Sequence, residues 1–376
     1  MTHIAADKSK LLQLLEQLAG AVEELLLAGL TTACETTRQT LAVALQEASR
    51  RQLLRLASTL RIANEELGRF TRNEADFSRQ RLMFFLNRAW LLARGLRRAL
   101  HDEDQALYDR LLWTPASVPV ERLEVVTLGV GKKVAARAFV AFEFRLRTMA
   151  ASAVPGGELP AGHRLAWSCI FPVKPGVDIP PEGFLHLPQK QNFNASVFLE
   201  RKSLVLERLA VGLDEFGGGR ISLGDESRVS AGAEFTAWDR FLEWSPAVSI
   251  QRIARHEVSP FDLEVEVQEE VVLRDWEIGA GSVREESGQT VFPITCGPVQ
   301  FDAVVSPGSE GEALAAALKD LRKLKVRPPL FGLMHYELCR LVLQPLALIE
   351  TKGPKYLTIS DKNIDRKQLL KALKFV

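Results

Sequence analysis

Trp113-Thr-Pro-Ala-Ser-Val-Pro-Val-Glu121 carries the first two prolines of the chain, Pro115 and Pro119, and separates two kinds of hydrophobic pattern. Proline fixes φ and removes a backbone donor, so two of them after 112 residues with none read as a linker over 113–121. On its N-terminal side the apolar residues recur at helical spacing. Leu11, Leu15, Leu18, Val22 and Leu25 form one stripe, Leu53, Leu56, Leu60, Ala63, Leu67 and Phe70 a second, and Leu82, Phe85, Ala89, Leu92 and Leu96 a third. A shorter, alanine-rich helix is expected near Glu35 to Ser49. Asn73 and Asp76 are the expected cap and acidic first turn of the helix through Leu82. Short connections between such helices favour antiparallel neighbours, so 1–112 is expected to be a helical bundle. His101-Asp-Glu-Asp104 falls between two of its helices, where acids cap the second.

On the C-terminal side the period changes to two. Strands are expected at 122–128 and 134–147, with Gly129-Val-Gly131-Lys-Lys133 as the turn between them, and again at 164–173, 195–200, 203–212, 220–223, 263–273 and 291–305. Helices are expected at 233–244 and at 247–256, the latter with Ser245 as N-cap and Pro246 in its first turn. Runs of strands with inserted helices define a mainly antiparallel, β-rich α+β domain or a partly opened barrel over 122–305. Ser306-Pro-Gly-Ser-Glu310 then sets off a small α/β C-terminal segment, 306–376, expected to pack on the β-rich domain. It holds a helix at 311–325, a hairpin rather than a helix over 330–348 because Pro345 would break a helix, and a strand at 356–359. A closing helix is expected at 365–373, with Ser360, Asp361 or Asn363 as candidate caps. The fold class is thus α+β and multidomain, beginning with an all-α bundle.

At 376 residues, 47% hydrophobic and 25% charged, the composition is that of a globular chain of two or three domains. The four cysteines, Cys34, Cys169, Cys296 and Cys339, are too far apart to form a disulfide framework, which points to the cytoplasm. No membrane span is expected, since Glu16, Glu23 and Glu24 interrupt the leucine-rich run from Leu11 to Leu30, and no secretory leader is expected in Met1 to Lys10.

No motif assembles a catalytic centre. A phosphate-binding Gly-Lys loop at 128–133 lacks the upstream glycine and the following Ser or Thr, and those glycines read as a hairpin turn. Gly217-Gly-Gly219 reads as a hairpin loop. His335 and Cys339 have the spacing of two metal ligands on a helix, but no second pair accompanies them. Ser168-Cys169 with His163, and Cys296 before Gly297-Pro298, match no nucleophile pattern, and Cys169 and Cys296 read as small core residues. Glu264, Glu266, Glu269 and Glu270 read as the polar positions of a half-exposed strand. No catalytic, cofactor-binding or metal-ligating residue is assigned, and no cofactor is expected.

Charge is more informative. The net charge of +1 hides a segregation: residues 50–98 hold twelve arginines, no lysine and four acids, residues 200–290 are net −9, and the tail from Ile349 is basic. Arginine favours phosphates and carboxylates, so Arg88, Arg94, Arg97 and Arg98 are candidates for a binding face. The acidic middle could equally satisfy them within the chain or in a second copy. The leading expectation is a non-enzymatic, cytoplasmic interaction or assembly protein that binds a protein partner or itself. The alternative is nucleic-acid binding through the arginine-rich helices 50–98, with base stacking on the β region as an addition. The third is a hydrolase whose site gathers His163, His186 or His256 beside carboxylates.

Overall fold

The computed structural model describes residues 2–30, 35–74, 77–112, 117–135, 139–155, 157–173, 179–213, 218–254, 268–285, 287–337 and 340–359. The protein is mixed α+β, with helices first and a β-rich part after them. It divides into two compact units, one over Met1–Thr114 and the other over Pro115–His256 with Glu266–Val376.

In the first unit the helices are α1 (Thr2–Ala28), α2 (Glu35–Arg50), α3 (Leu54–Thr71), α4 (Arg79–His101) and α5 (Gln105–Leu112). α1 packs on α2 and α4, α3 does the same from the other side, and α5 closes against α3 and α4. The stripes meet inside: Leu15, Leu18, Val22, Leu60, Ala63, Leu67, Leu86, Ala89 and Leu92 are all buried in one cluster. Each fully buried leucine contributes about 1.5–3 kcal/mol relative to an exposed one, which is what holds helices of this amphipathicity together. The cap of α4 is Ser78, whose Oγ accepts from the Arg81 N–H at 3.2 Å. Asn73 instead occupies the left-handed turn before it, at φ 51°, and Asp76 lies outside the described residues. Asp104 does cap α5, its Oδ1 accepting from Leu107 N–H at 2.9 Å.

The second unit opens with β1 (Ser117–Ala135), β2 (Phe139–Thr148), the small hairpin β3 (Ser152–Val154) and β4 (Gly157–Leu159), then β5 (Arg164–Pro172), β6 (Lys202–Leu213) and β7 (Gly218–Glu234). β1, β2, β5, β7 and β6 close into a barrel in that order. Every neighbouring pair is antiparallel except β5 with β7. Counting barrel strands along the chain, the spatial order is first, second, third, fifth, fourth and back to first, the Greek-key arrangement of an OB-fold barrel. Its interior holds Phe142, Phe144, Leu146, Trp167, Leu204 and Leu206. Between the third and fourth strands, 3-10 turns at Pro181–His186 and Ala195–Leu199 pack Phe184, Leu185 and Phe198 into this core, Phe198 stacking on Trp167 with ring centroids 4.4 Å apart.

The rest of this unit repeats the plan. After α6 (Pro246–Ala254) come β8 (Glu269–Leu273), β9 (Trp276–Ile278), β10 (Ser282–Val283), β11 (Thr290–Cys296), β12 (Val299–Val305), α7 (Ser309–Arg322), β13 (Leu330–Glu337), β14 (Arg340–Glu350) and β15 (Gly353–Tyr356). β8 pairs with β13 and β9 with β11, and only Arg274 and Asp275 separate β8 from β9. Asp275, at φ 50°, supplies the bend. β8 and β9 are therefore one bent strand, and the sheet returns on itself through β11, β12, β14 and β13, with β12 and β14 the parallel pair. The order is again first, second, third, fifth, fourth, and α7 occupies the connection that the 3-10 turns occupy in the first barrel. A second core of Val271, Leu273, Trp276, Phe292, Phe301 and Leu343 fills it, with Leu318 and Leu321 of α7.

A third cluster joins the barrels: Val126 and Leu128 of β1 meet Phe331, Leu333, Leu346 and Ile349 of β13 and β14, with Phe235, Trp238 and Phe241 alongside. This junction corrects the reading of Gly129–Lys133. They form no turn; β1 runs straight through them, starting at Ser117 inside the stretch expected to be linker. A Cβ on Gly129 would lie 2.5 Å from Cε1 of Phe331, so glycine is there to admit that ring.

Other expectations change for related reasons. The expected strand at 195–200 is a 3-10 turn, and the expected helix at 233–244 is the end of β7 followed by a 3-10 turn, Trp238–Phe241. In both, aromatic residues three apart face a core, a spacing a 3-10 turn satisfies as well as an α-helix. The run 291–305 is a hairpin, β11 and β12, turned at Gly297 with φ 57°. The hairpin expected over 330–348 is present as β13 and β14. Because β13 bonds to β8 and β14 to β12, the position 305/306 falls inside one sheet. The closing helix expected at 365–373, with Ser360, Asp361 and Asn363, lies outside the described residues.

Candidate functional site: an arginine face on the first barrel

Alternation along β2 turns Phe142, Phe144 and Leu146 inward and leaves Phe139, Ala141, Glu143, Arg145 and Arg147 on the outer face. On β5, Leu165, Trp167 and Cys169 point in, leaving Arg164, Ser168 and Ile170 outside; on β7, Ile221 points in and Arg220 out. The register sets Arg147 opposite Arg164, and Arg145 in line with Ala166 and Arg220. Four arginines thus occupy two adjacent rows of three neighbouring strands. Like charges directly opposite one another destabilise a bare sheet, so this face needs counter-charge.

It comes from β8. Glu270 Oε2 lies 2.5 Å from Arg147 Nη2, and its other oxygen 3.9 Å from Arg145 Nη1. Glu269 takes Arg164 at 2.8 Å and Arg252 of α6 at 2.9 Å, and accepts from Ser249 Oγ at 3.0 Å, which itself accepts from Trp244 Nε1. Arg145 also pairs with Glu143 and donates to Gln268 Oε1 at 2.8 Å, and Arg220 lies 3.6 Å from Glu143. Arg147 stands over the Phe331 ring, 5.9 Å from its centroid. Burial alone would raise the pKa of Glu270, but the charges of Arg147, Arg145 and Arg164 outweigh it and hold the carboxyl below its ordinary value. The expectation that Glu269 and Glu270 are the polar side of a half-exposed strand is therefore corrected: every residue of β8 is buried, because one face meets the barrel core and the other the arginines. Glu264 and Glu266 lie outside the described residues.

The arginines singled out from sequence sit on α4. Arg88 is buried, 5% exposed. Arg94 lies 2.8 Å from Glu23 and 3.5 Å from Glu16, over the Trp90 ring, and Trp90 Nε1 donates to Glu23 at 2.6 Å. Arg97 pairs with Glu16, and Arg98 lies 3.5 Å from Asp102. Glu16 and Glu23, which argue against a membrane span in α1, are thus counter-ions of α4. Arg50, Arg51, Arg69, Arg72 and Arg81 also have carboxylates within 4.0 Å. No sequence pattern points to Arg145, Arg147, Arg164 and Arg220; the period-two alternation of β2 is the available signal, and strand pairing is the missing one.

The remaining candidates are scattered. His163 precedes β5 and His186 ends the first 3-10 turn; His256 and Cys339 lie outside the described residues, and His335 stands on a strand. Burial pushes the Cys169 thiol up to about 12, so it behaves as a small core hydrophobe. Lys132, compared above with a phosphate-loop lysine, is held by Glu182 at 2.6 Å and by Glu310. Among the described residues no three His, Cys, Asp or Glu side chains gather as a metal site, and no helix is long and apolar enough to cross a membrane.

No family model and no curated protein matches the chain. Among solved structures it is similar to a chain of "Molecular basis for abrogation of activation of pro-inflammatory cytokines", with 11% identity over 61% of this chain and 92% of that one and a TM-score of 0.26. It is similar to the same degree to a chain of "Crystal structure of Ifi202 HINa domain in complex with 20bp dsDNA", with 10% identity over 61% of this chain and 93% of that one and a TM-score of 0.26. Neither likeness assigns a function to this chain.

Proposed function

We propose that the protein is a non-enzymatic, cytoplasmic assembly protein that binds a protein partner or a second copy of itself through one end of its helical unit. The observation that carries this is apolar exposure at that end. The ion pairs Glu23–Arg94 and Lys8–Glu103 set α1 antiparallel to α4, which brings the C-terminus of α1 beside the N-terminus of α4. There Leu27 is 89% exposed, and Met83 and Phe84 are exposed too. Several large apolar side chains left in water at one end of a bundle mark an interaction site more often than they mark solvent-facing surface. The arginines of 50–98, by contrast, largely have carboxylate partners within their own unit, which favours a protein partner over nucleic acid for the helices.

The test compares the intact chain with a Leu27→Glu/Phe84→Glu variant by light scattering and by recovery of a tagged chain from its source cells at low salt. A dimer or a stoichiometric complex that the folded variant loses supports the proposal. An intact chain that stays monomeric and retains no partner refutes it.

A further inference from the structure

The outer face of β2, β5 and β7 carries more than its arginines. From Arg147 the outer positions of β2 run through Arg145, Glu143 and Ala141 to Phe139, and those of β5 run from Arg164 through Ser168 to Ile170. The register places Ala141 beside Ile170 and Phe139 beside Pro172. One end of the strip is therefore cationic, and the other presents an exposed aromatic ring and an isoleucine that is 67% exposed. At about 3.3 Å per residue the strip is roughly 26 Å long. This is the second-and-third-strand face through which barrels of this topology take their ligands.

Arg220 is half exposed, and Arg164 and Arg252 are about a quarter exposed. Among the described residues, the five arginines 145, 147, 164, 220 and 252 share three carboxylates, Glu143, Glu269 and Glu270, a surplus of positive charge at a partly dried rim. Glu269 and Glu143 hold the guanidinium groups in place, so their geometry is set before any ligand arrives.

We propose that this strip is a binding site for single-stranded nucleic acid, with phosphates on the Arg164, Arg220 and Arg252 rim and bases against Phe139 and Ile170. A polyanion with flat apolar faces matches both ends of the strip, whereas an acidic peptide matches only the cationic end. The length fits the lower part of the roughly 4–16 nucleotides that one such barrel covers. The site is independent of the apolar end of the helical unit, and loss of one leaves the other standing.

The experiment uses the full chain and a fluorescein-labelled oligothymidylate of about 20 nucleotides, followed by anisotropy across a salt series starting near 20 mM. The intact chain should bind with an affinity that falls as salt rises. Arg220→Glu, at a half-exposed position, should weaken binding about tenfold and lower the salt slope by about 0.7 for each phosphate it no longer neutralises. Phe139→Ala should weaken it about fivefold or more, the loss of one stacked base. Arg97→Ala/Arg98→Ala on α4 should leave it unchanged. Three results would overturn the proposal: no binding at low salt, equal binding by the folded Arg220→Glu variant, or displacement by oligoglutamate as effective as by unlabelled oligothymidylate. The last would show a site that reads negative charge alone.

Discussion

Replacing Gly129 by alanine tests how the two barrels are joined. The new methyl would lie 2.5 Å from Cε1 and 2.6 Å from Cδ1 of Phe331, and 3.1 Å from Cβ of Leu346. Phe331 is fully buried, with Leu333, Leu346 and Trp238 in the same cluster, so its ring has little space to retreat. Overpacking of this kind costs about 1–3 kcal/mol. For a unit of this size each kcal/mol lowers the melting temperature by about 2–4 °C, so a fall of roughly 2–12 °C is expected. Urea and thermal unfolding followed by tryptophan fluorescence would measure it. A glycine needed for a turn would also resist substitution, so the deciding measurement is a double-mutant cycle with Phe331→Leu. Shortening the ring should recover about 1 kcal/mol or more of the Gly129→Ala loss, since the two side chains compete for one space. Additive effects, or an alanine variant within about 0.5 kcal/mol of the parent, would refute the close approach of β1 and β13.

Two further outcomes follow from the buried charges and the caps. Glu270→Gln should cost about 3–5 kcal/mol by leaving Arg147 buried without its counter-charge, while Arg147→Met/Glu270→Leu should recover most of that loss. Because the folded pKa of Glu270 lies below the ordinary 4.5, its stabilisation is present above that value and is lost as pH falls through the folded pKa. Unfolding free energies between about pH 7 and pH 3 should therefore show a shallower acid limb in Glu270→Gln than in the parent; an unchanged limb would contradict the pairing. Ser78→Ala should cost the helical unit about 1 kcal/mol in urea unfolding by removing the cap on Arg81 N–H, whereas Asn73→Ala should not remove a cap.

The legible parts are those governed by local period. The stripes through Leu15, Leu60 and Leu92 require helices that bury one side, and the alternation of Phe142, Phe144 and Leu146 requires a strand with one face in a core. Ala195–Leu199 and Trp238–Phe241 mislead because apolar residues three apart suit a 3-10 turn, an α-helix and, over a short run, a strand. Gly129 misleads because a glycine looks the same in sequence whether it turns the chain or makes room for a neighbour. The candidate site is illegible for a similar reason: Glu269 and Glu270 look like exposed strand positions until their partners are known.

Amphipathic period thus determined that this chain has an α-helical part and a β-rich part, because hydrophobic burial acts on residues a few positions apart. Which strands meet was decided only by tertiary structure. β8 finds β13 across more than fifty residues, β14 lies parallel to β12, and both barrels close on pairings that leave no local trace. The same holds for charge. The sequence contained the surplus of arginine in 50–98 and of acid in 200–290, but Coulomb energy depends on separation in space, and the fold set Glu16 and Glu23 against α4 and Glu269 and Glu270 against the arginines of β2 and β5.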